Sequence, residues 1–220
     1  MRNKTFAVVV KVKGLCDLAG TTFLLTAGLL ITPAPAQTAQ QWKCTGNADI
    51  PWDVQIVGCT TVISSGKYAG AERAWAYYNR GNAYRAKGEN DRAIVDYDEA
   101  IRLDPDDPDS YNERCWTRAL ADRDLRGALF DCNGSLRLRP NDGNTLNSRG
   151  LVRFKLGAFK QLIADYDAAL EQNANDAESL YARGVAKLKL RDSAGGNADI
   201  AAAKAIKADV ADVYAGYGVK

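Results

Sequence analysis

The chain has 220 residues, of which 46% are hydrophobic and 25% are charged, which is typical of a globular domain and excludes a disordered or fibrous protein. The formal net charge is only +2, so the sequence indicates neither nucleic acid nor an anionic membrane surface as a partner. The chain contains no histidine, which removes the commonest general base and metal ligand and every Ser-His or Cys-His nucleophile system.

The N-terminal residues differ in character from the rest. Basic residues occur at four of the first 13 positions, an apolar run follows at 21–31, and Ala34-Pro35-Ala36 comes next. This order predicts a secretory signal peptide, residues 1–36, cleaved after Ala36, and hence a periplasmic or secreted protein. An uncleaved membrane anchor is the alternative, although the apolar run is about half of the ~20 residues that a spanning helix needs. A lipoprotein attached through Cys16 is less consistent, because Cys16 precedes the apolar run.

Residues 37–73 are expected to form an N-terminal arm. Within it, residues 53–63 show the apolar spacing of a helix, and Cys59 falls where an aromatic residue falls in the second helix of the repeats that follow. We therefore interpret this segment as a half-repeat that covers the first full repeat. Without residues 1–36 the net charge becomes −1, so the basic excess belongs to the predicted export signal.

Four segments then align with one another: residues 74–107, 108–142, 143–176 and 177–209. They start 34, 35 and 34 positions apart, and the extra residue of the second segment lies within 121–127. The first segment shows a recurring series of large apolar, glycine, aromatic, alanine, aromatic, alanine and proline positions, namely Tyr77, Gly81, Tyr84, Ala93, Tyr97, Ala100 and Pro105. The later segments keep much of this series in register.

This pattern resembles the tetratricopeptide repeat. The resemblance implies an all-α fold, a right-handed superhelix of helical hairpins in which each repeat contributes two antiparallel helices. Small residues at the Gly81 and Ala93 positions would allow the helices to approach, and large residues at the Tyr77 and Tyr97 positions would fill the space between them. Because one hairpin cannot bury its apolar stripe alone, we expect the four repeats to stack, with residues 210–220 as a C-terminal capping helix.

Two charged positions recur with the repeat. An arginine precedes each glycine position and an aspartate precedes each second aromatic position, 16 residues later or 17 in the second repeat. We predict that each arginine pairs with the aspartate across its own hairpin, giving the pairs Arg80–Asp96, Arg114–Asp131, Arg149–Asp165 and Arg183–Asp199. The alternative is a row of arginines that binds an acidic ligand, which is less consistent because every arginine has an aspartate with it.

Four cysteines remain outside the predicted signal peptide, and an even number in an exported protein favours disulfides. Three pairings are possible. We expect Cys44–Cys59, because Cys44 lies just before the helix that carries Cys59, and Cys115–Cys132, because these lie on the two helices of one hairpin. The alternative for the second pair is two small buried residues. No metal site is expected, since the chain has neither histidine nor a CxxC spacing.

In proteins of this family the first helix of each hairpin lines the inner, concave face. By position, that resemblance implies a groove lined by Trp75, Tyr78, Asn82, Arg85, Asn112, Trp116, Asn147, Leu151, Phe154 and Tyr181. Asparagines hold an extended peptide backbone and aromatic rings anchor apolar side chains. The lysines and arginines with which some relatives clamp an acidic C-terminus are mostly missing, so that activity is not expected here.

The predicted function is therefore a non-catalytic scaffold that binds a peptide or an extended segment of a partner protein, without a cofactor and without nucleic acid. A glycan- or small-molecule-binding accessory protein of the cell envelope is the main alternative, because tryptophan and tyrosine rings also stack on sugars. An enzyme subunit is the lesser alternative. Its carboxylates, such as Asp96 and Asp98, lie two residues apart on a helix and do not face one another.

Overall fold

The computed structural model describes residues 43–47 and 49–219. Over these residues the chain forms ten α-helices: α1 (Trp52–Ser64), α2 (Ala71–Ala86), α3 (Asn90–Leu103), α4 (Pro108–Leu120), α5 (Leu125–Leu138), α6 (Gly143–Lys155), α7 (Phe159–Gln172), α8 (Ala177–Lys189), α9 (Ser193–Ile206) and α10 (Val210–Gly216). The predicted signal peptide, residues 1–36, lies outside the described residues.

Consecutive helices pack as hairpins. The helices α2 and α3 form the first pair, followed by α4 with α5, α6 with α7, and α8 with α9. The second helix of each of the first three pairs also packs on the first helix of the next pair, and α1 packs on α2. The predicted all-α stack of hairpins is confirmed. The helix α1 covers the segment interpreted as a half-repeat.

Aspartates cap the first helices of the second, third and fourth hairpins. The Asp107 carboxylate accepts hydrogen bonds from the backbone N–H groups of Asp109 and Ser110, and Pro108 occupies the first helical position, where its missing N–H costs nothing. Asp142 accepts from Thr145, and Asp176 from Glu178, in the same way. The turn before α8 has no proline, yet α8 has the same kind of aspartate cap as α4 and α6.

Three of the hairpins are closed by a glycine on the first helix that faces a larger residue on the second. A Cβ atom added at Gly81 would lie 2.7 Å from Cε1 of Tyr97, and one added at Gly150 would lie 2.5 Å from Cζ of Tyr166. Both tyrosines are fully buried. Glycine is therefore required at these positions because the ring occupies the space of its missing side chain.

The second hairpin has cysteines at both of these positions. Cys115 and Cys132 are joined by a disulfide with their Cα atoms 5.5 Å apart, so a covalent bond replaces the glycine–tyrosine contact. Cys44 and Cys59 are joined with their Cα atoms 4.7 Å apart, and Cys59 stands at the position of Tyr97. The structure thus brings together the two predicted pairs, and all four cysteines are fully buried.

The arginine of each first helix binds its aspartate through two parallel hydrogen bonds. In the first hairpin Nε and Nη2 of Arg80 donate to the two carboxylate oxygens of Asp96 at 2.8 and 2.7 Å. The same paired geometry recurs at Arg114–Asp131, Arg149–Asp165 and Arg183–Asp199. The aspartates are buried, so these are charge-assisted pairs inside the stack and not surface ion pairs.

The remaining arginine nitrogen reaches the preceding hairpin. Nη1 of Arg114 donates to Asp98 at 2.6 Å, and Nη1 of Arg183 donates to Asp167 at 2.7 Å. Arg149 reaches Asn133 at 2.8 Å, and Arg80 reaches Thr60 of α1 at 3.0 Å. In all four cases the acceptor is the residue that follows the second aromatic position. Each arginine therefore connects its own hairpin to the one before it.

A second cation, four residues after the arginine, supports the aspartate in the last three hairpins. Arg118 binds Asp131 at 2.5 Å, Arg153 binds Asp165 at 2.5 Å, and Lys187 binds Asp199 at 2.8 Å. Burial alone would raise the pKa of Asp199, but hydrogen bonds from Arg183 and Lys187 lower that pKa below its ordinary value. The carboxylate thus remains charged within the stack.

Substitution of Gly81 by alanine should lower the free energy of unfolding by about 1–3 kcal/mol, because the new methyl group would overlap the buried ring of Tyr97. Gly143 offers a matched control, since an added Cβ there has no neighbour within 4 Å. Denaturant unfolding of Gly81→Ala and Gly143→Ala measures the difference. Equal stability of the two variants would contradict the packing described for the hairpin.

Substitution of Asp131 by alanine should lower the free energy of unfolding by about 3 kcal/mol, because two guanidinium groups lose their shared buried partner. The control is Asp91→Ala, which removes an exposed partner of Arg123 at 3.2 Å and should cost about 0–1 kcal/mol. Thermal and denaturant unfolding compare the two. If Asp131→Ala lowers the free energy of unfolding no more than Asp91→Ala does, the buried pairing orients the helices without stabilising the fold.

Candidate functional site

Side chains from the first helices of all four hairpins line one depression of about 340 Å³. Four of the predicted groove residues meet there: Arg85 of α2, Asn112 and Trp116 of α4, and Asn147 of α6. We call this depression the groove. Its remaining lining residues were not predicted from the sequence and are Glu113, Asn144, Ser148, Glu178 and Tyr217.

The other predicted groove residues are placed differently. Trp75 and Tyr78 line a separate depression of about 260 Å³ beside Asp104, Asp107 and Asp109. The Oδ1 atom of Asn82 accepts a hydrogen bond of 2.7 Å from the hydroxyl of Tyr97, so Asn82 orients a core ring.

Three predicted groove residues pack against the protein itself. Leu151 is 1% exposed and belongs to the core, so the prediction that it faces an open groove is corrected: it lies beneath the surface. The ring of Phe154 packs on Phe159 with their centroids 5.6 Å apart, and that of Tyr181 lies 5.4 Å from Tyr214. These residues lie on the expected helices, but their rings contact neighbouring side chains.

The floor of the groove contains polar atoms without partners in the described chain. Oδ1 of Asn112, Oε2 of Glu113 and Nε of Arg85 are all buried, and none of them has a hydrogen-bond partner. Nε of Arg85 lies 3.2 Å from Oε2 of Glu113, close enough for attraction but without hydrogen-bond geometry. Burial raises the pKa of the Glu113 carboxyl, and the positive charge of Arg85 only partly opposes this effect. Buried polar groups in proteins are normally paired, so Oδ1 of Asn112 is suited to a hydrogen-bond donor of a ligand.

The C-terminal residues form one wall of the groove. The ring of Tyr217 meets that of Trp116 edge to face, with their centroids 5.1 Å apart. The hydroxyl of Tyr214 donates a hydrogen bond of 3.1 Å to Oδ1 of Asn147. The helix α10 packs on α8 and α9, and the side chains of Tyr214 and Tyr217 also reach the third and second hairpins.

The described residues offer little for other kinds of site. They contain no group of three or more histidine, cysteine, aspartate or glutamate side chains that could hold a metal ion. Among the same residues, no helix has both the length and the apolar character needed to cross a membrane.

Comparison with known proteins adds a family and several structural neighbours. Residues 74–107 match the family model described as tetratricopeptide repeat. No curated protein sequence matches the chain. A crystal structure of MamA aligns with a TM-score of 0.66 and 15% identity, covering 79% of this chain and 97% of that one.

Two further neighbours are described with their peptides or peptide-binding sites. YrrB, a tetratricopeptide repeat protein with an unusual peptide-binding site, has a TM-score of 0.59 and 19% identity, with coverage of 72% of this chain and 79% of that chain. The first repeat domain of Spaghetti (RPAP3), bound to the HSP90 peptide SRMEEVD, has a TM-score of 0.54 and 25% identity, covering 57% of this chain and 99% of that one. This chain therefore contains a tetratricopeptide repeat at residues 74–107 and has the fold of a tetratricopeptide repeat solenoid.

Proposed function

We propose that this protein is a non-catalytic interaction scaffold whose groove binds a peptide or an extended segment of a partner protein. The observation that carries the proposal is the buried Oδ1 of Asn112, which has no hydrogen-bond partner and lies in the floor of the groove with the ion pair of Arg85 and Glu113. An extended peptide backbone supplies an N–H donor for this oxygen.

The walls of the groove suit the same kind of ligand. Trp116 presents a half-buried aromatic surface beside the amides of Asn144 and Asn147. Aromatic rings contribute much of the binding energy at protein interfaces, while amides align the backbone of a bound chain. The peptide complex of the Spaghetti domain and the peptide-binding site of YrrB support the assignment, because both proteins share this fold.

We further propose that the scaffold acts in the cell envelope or outside the cell. The signal-like residues 1–36 support this location, and so do the two buried disulfides, since disulfides persist mainly in oxidising compartments.

Substitution of Asn112 by alanine should weaken peptide binding by ~10-fold or more without loss of fold, because its buried Oδ1 has no partner within the described chain. The probe is the tightest peptide selected from a random phage-displayed library on the oxidised chain, with affinity measured by calorimetry. Val95→Ala on α3 is the control, since Val95 is 60% exposed and is not a lining residue of the groove.

Undiminished affinity of the Asn112→Ala chain would count against the groove. A library that yields no binder, together with a stabilising shift in melting temperature by cell-wall glycan fragments, would favour the glycan-binding alternative instead.

Purification of the protein from its native cells should give a chain that starts at Gln37, found in the periplasmic or secreted fraction. Terminal sequencing by mass spectrometry measures this start. A chain that starts at Met1 and sediments with membranes would contradict the proposed location and favour the anchor.

A further inference from the structure

The C-terminal segment, residues 210–219, packs on the fourth hairpin through α10, and its side chains also reach beyond that hairpin. Tyr214 follows Leu180 by one repeat length of 34, so the sequence pattern alone places it in the first helix of a fifth hairpin. Such a helix would contact mainly the fourth hairpin. The observed side chains reach further back, since Tyr214 bonds to Asn147 of α6 and Tyr217 packs on Trp116 of α4.

The contacts of this segment with the rest of the chain resemble those of a bound peptide. Val210, Tyr214 and Val219 are at most 2% exposed, and they join the core formed by the second to fourth hairpins. The rings of Tyr214 and Tyr217 lie three positions apart on one helical face, with their centroids 5.6 Å from each other. Two aromatic anchors and an apolar end are the features by which a short helix binds a groove.

The segment is also attached to the fourth hairpin, where α10 packs on α8 and α9 and the ring of Tyr214 lies 5.4 Å from that of Tyr181. At its start, Nζ of Lys207 donates to Oε1 of Glu178 at 2.9 Å, and both side chains are about one-third exposed. The helix α10 itself has only seven residues, too few to be stable without the surface on which it lies. Departure of the segment would therefore break its contacts with the groove while α8 and α9 keep theirs with each other.

We propose that residues 210–219 are an internal ligand of the groove, displaced by a partner segment that carries two aromatic residues three positions apart. This inference rests on the proposed function and specifies its partner. The anchors of such a segment would take the places of Tyr214 and Tyr217, beside Asn147 and Trp116. Its backbone would then lie next to the unpartnered Oδ1 of Asn112.

The test uses a fluorescein-labelled peptide of residues 209–219 and the full chain with its disulfides intact. Tyr217→Ala weakens the hold of the internal segment by removing the ring that packs on Trp116. Anisotropy titration should show the peptide binding this variant ~10-fold more tightly than the unaltered chain, because affinity rises with the fraction of open groove. Hydrogen exchange of residues 210–219 should rise by a similar factor.

Two controls isolate the cause, and a further variant replaces Tyr217→Ala if that chain fails to fold. Ala215→Ser changes an exposed residue of the same helix and should leave both readouts as in the unaltered chain. A peptide with Tyr214→Ala and Tyr217→Ala should not bind either chain. If Tyr217→Ala fails to fold, Lys207→Ala removes the ion pair at the start of the segment and should raise the peptide affinity ~2-fold.

The remaining outcomes overturn the proposal. Equal affinity for the unaltered and Tyr217→Ala chains would show that the peptide binds elsewhere than the segment does. Absence of peptide binding, despite faster hydrogen exchange of residues 210–219, would show that the groove does not hold this sequence as a ligand. If light scattering shows a dimer in which the copies exchange their C-terminal segments, the groove is occupied by the segment of a second chain. The scaffold function is judged separately, because the library-selected peptide and Asn112→Ala report on the groove whether or not the segment moves.

Discussion

The whole stack depends on an arginine that binds two hairpins at once. Arg114 holds Asp131 of its own hairpin through Nε and Nη2, and its Nη1 holds Asp98 of the hairpin before. A planar guanidinium can do this because its donors point in fixed directions, so the angle between the two hairpins is constrained along with their distance. Lysine could neutralise Asp131 but could not specify that angle. Groove residues on α2, α4 and α6 keep their relative positions only because the hairpins that carry them do.

The contact point between the two helices of a hairpin can be occupied by different pairs of residues, provided that they fill the space between the helices. Tyr97 fills it against Gly81, and a disulfide fills it in the second hairpin. A disulfide of 17-residue separation constrains the unfolded chain by about 3 kcal/mol, whereas the tyrosine contact acts through burial. The second hairpin also contains the 35-residue repeat, with Asp122 and Asp124 in the left-handed backbone region that disfavours side chains. The covalent link thus lies in the hairpin whose turn is the most strained.

Much of the fold could be predicted because repetition reports local contacts. The period of 34, the glycine–aromatic spacing and the arginine–aspartate spacing each describe residues that meet within one hairpin or its neighbour. The second acceptor of each arginine was missed, although Asp98 and Asp167 are in register, because only the three-dimensional stack shows which face of α3 or α7 meets the next arginine. Only part of the groove was predicted. The repeat pattern assigns a residue to a helix, but it does not show which aromatic rings pack against that residue's side chain.

The contacts of the C-terminal segment could not be predicted from the repeat pattern. Tyr214 is in register with Leu180, so periodicity predicts another layer, but no second helix of that layer is present in the described chain to bury it. The apolar side chains of α10 instead join the core of the second to fourth hairpins, and Asn147 accepts the hydrogen bond of the Tyr214 hydroxyl. A tethered segment competes at an effective concentration of about millimolar, so a partner binds only if its own affinity and concentration exceed that competition. Every tenfold gain in the hold of Tyr214 and Tyr217 lowers the apparent affinity for a partner tenfold. The strength of these two contacts therefore sets the threshold at which the scaffold engages another protein.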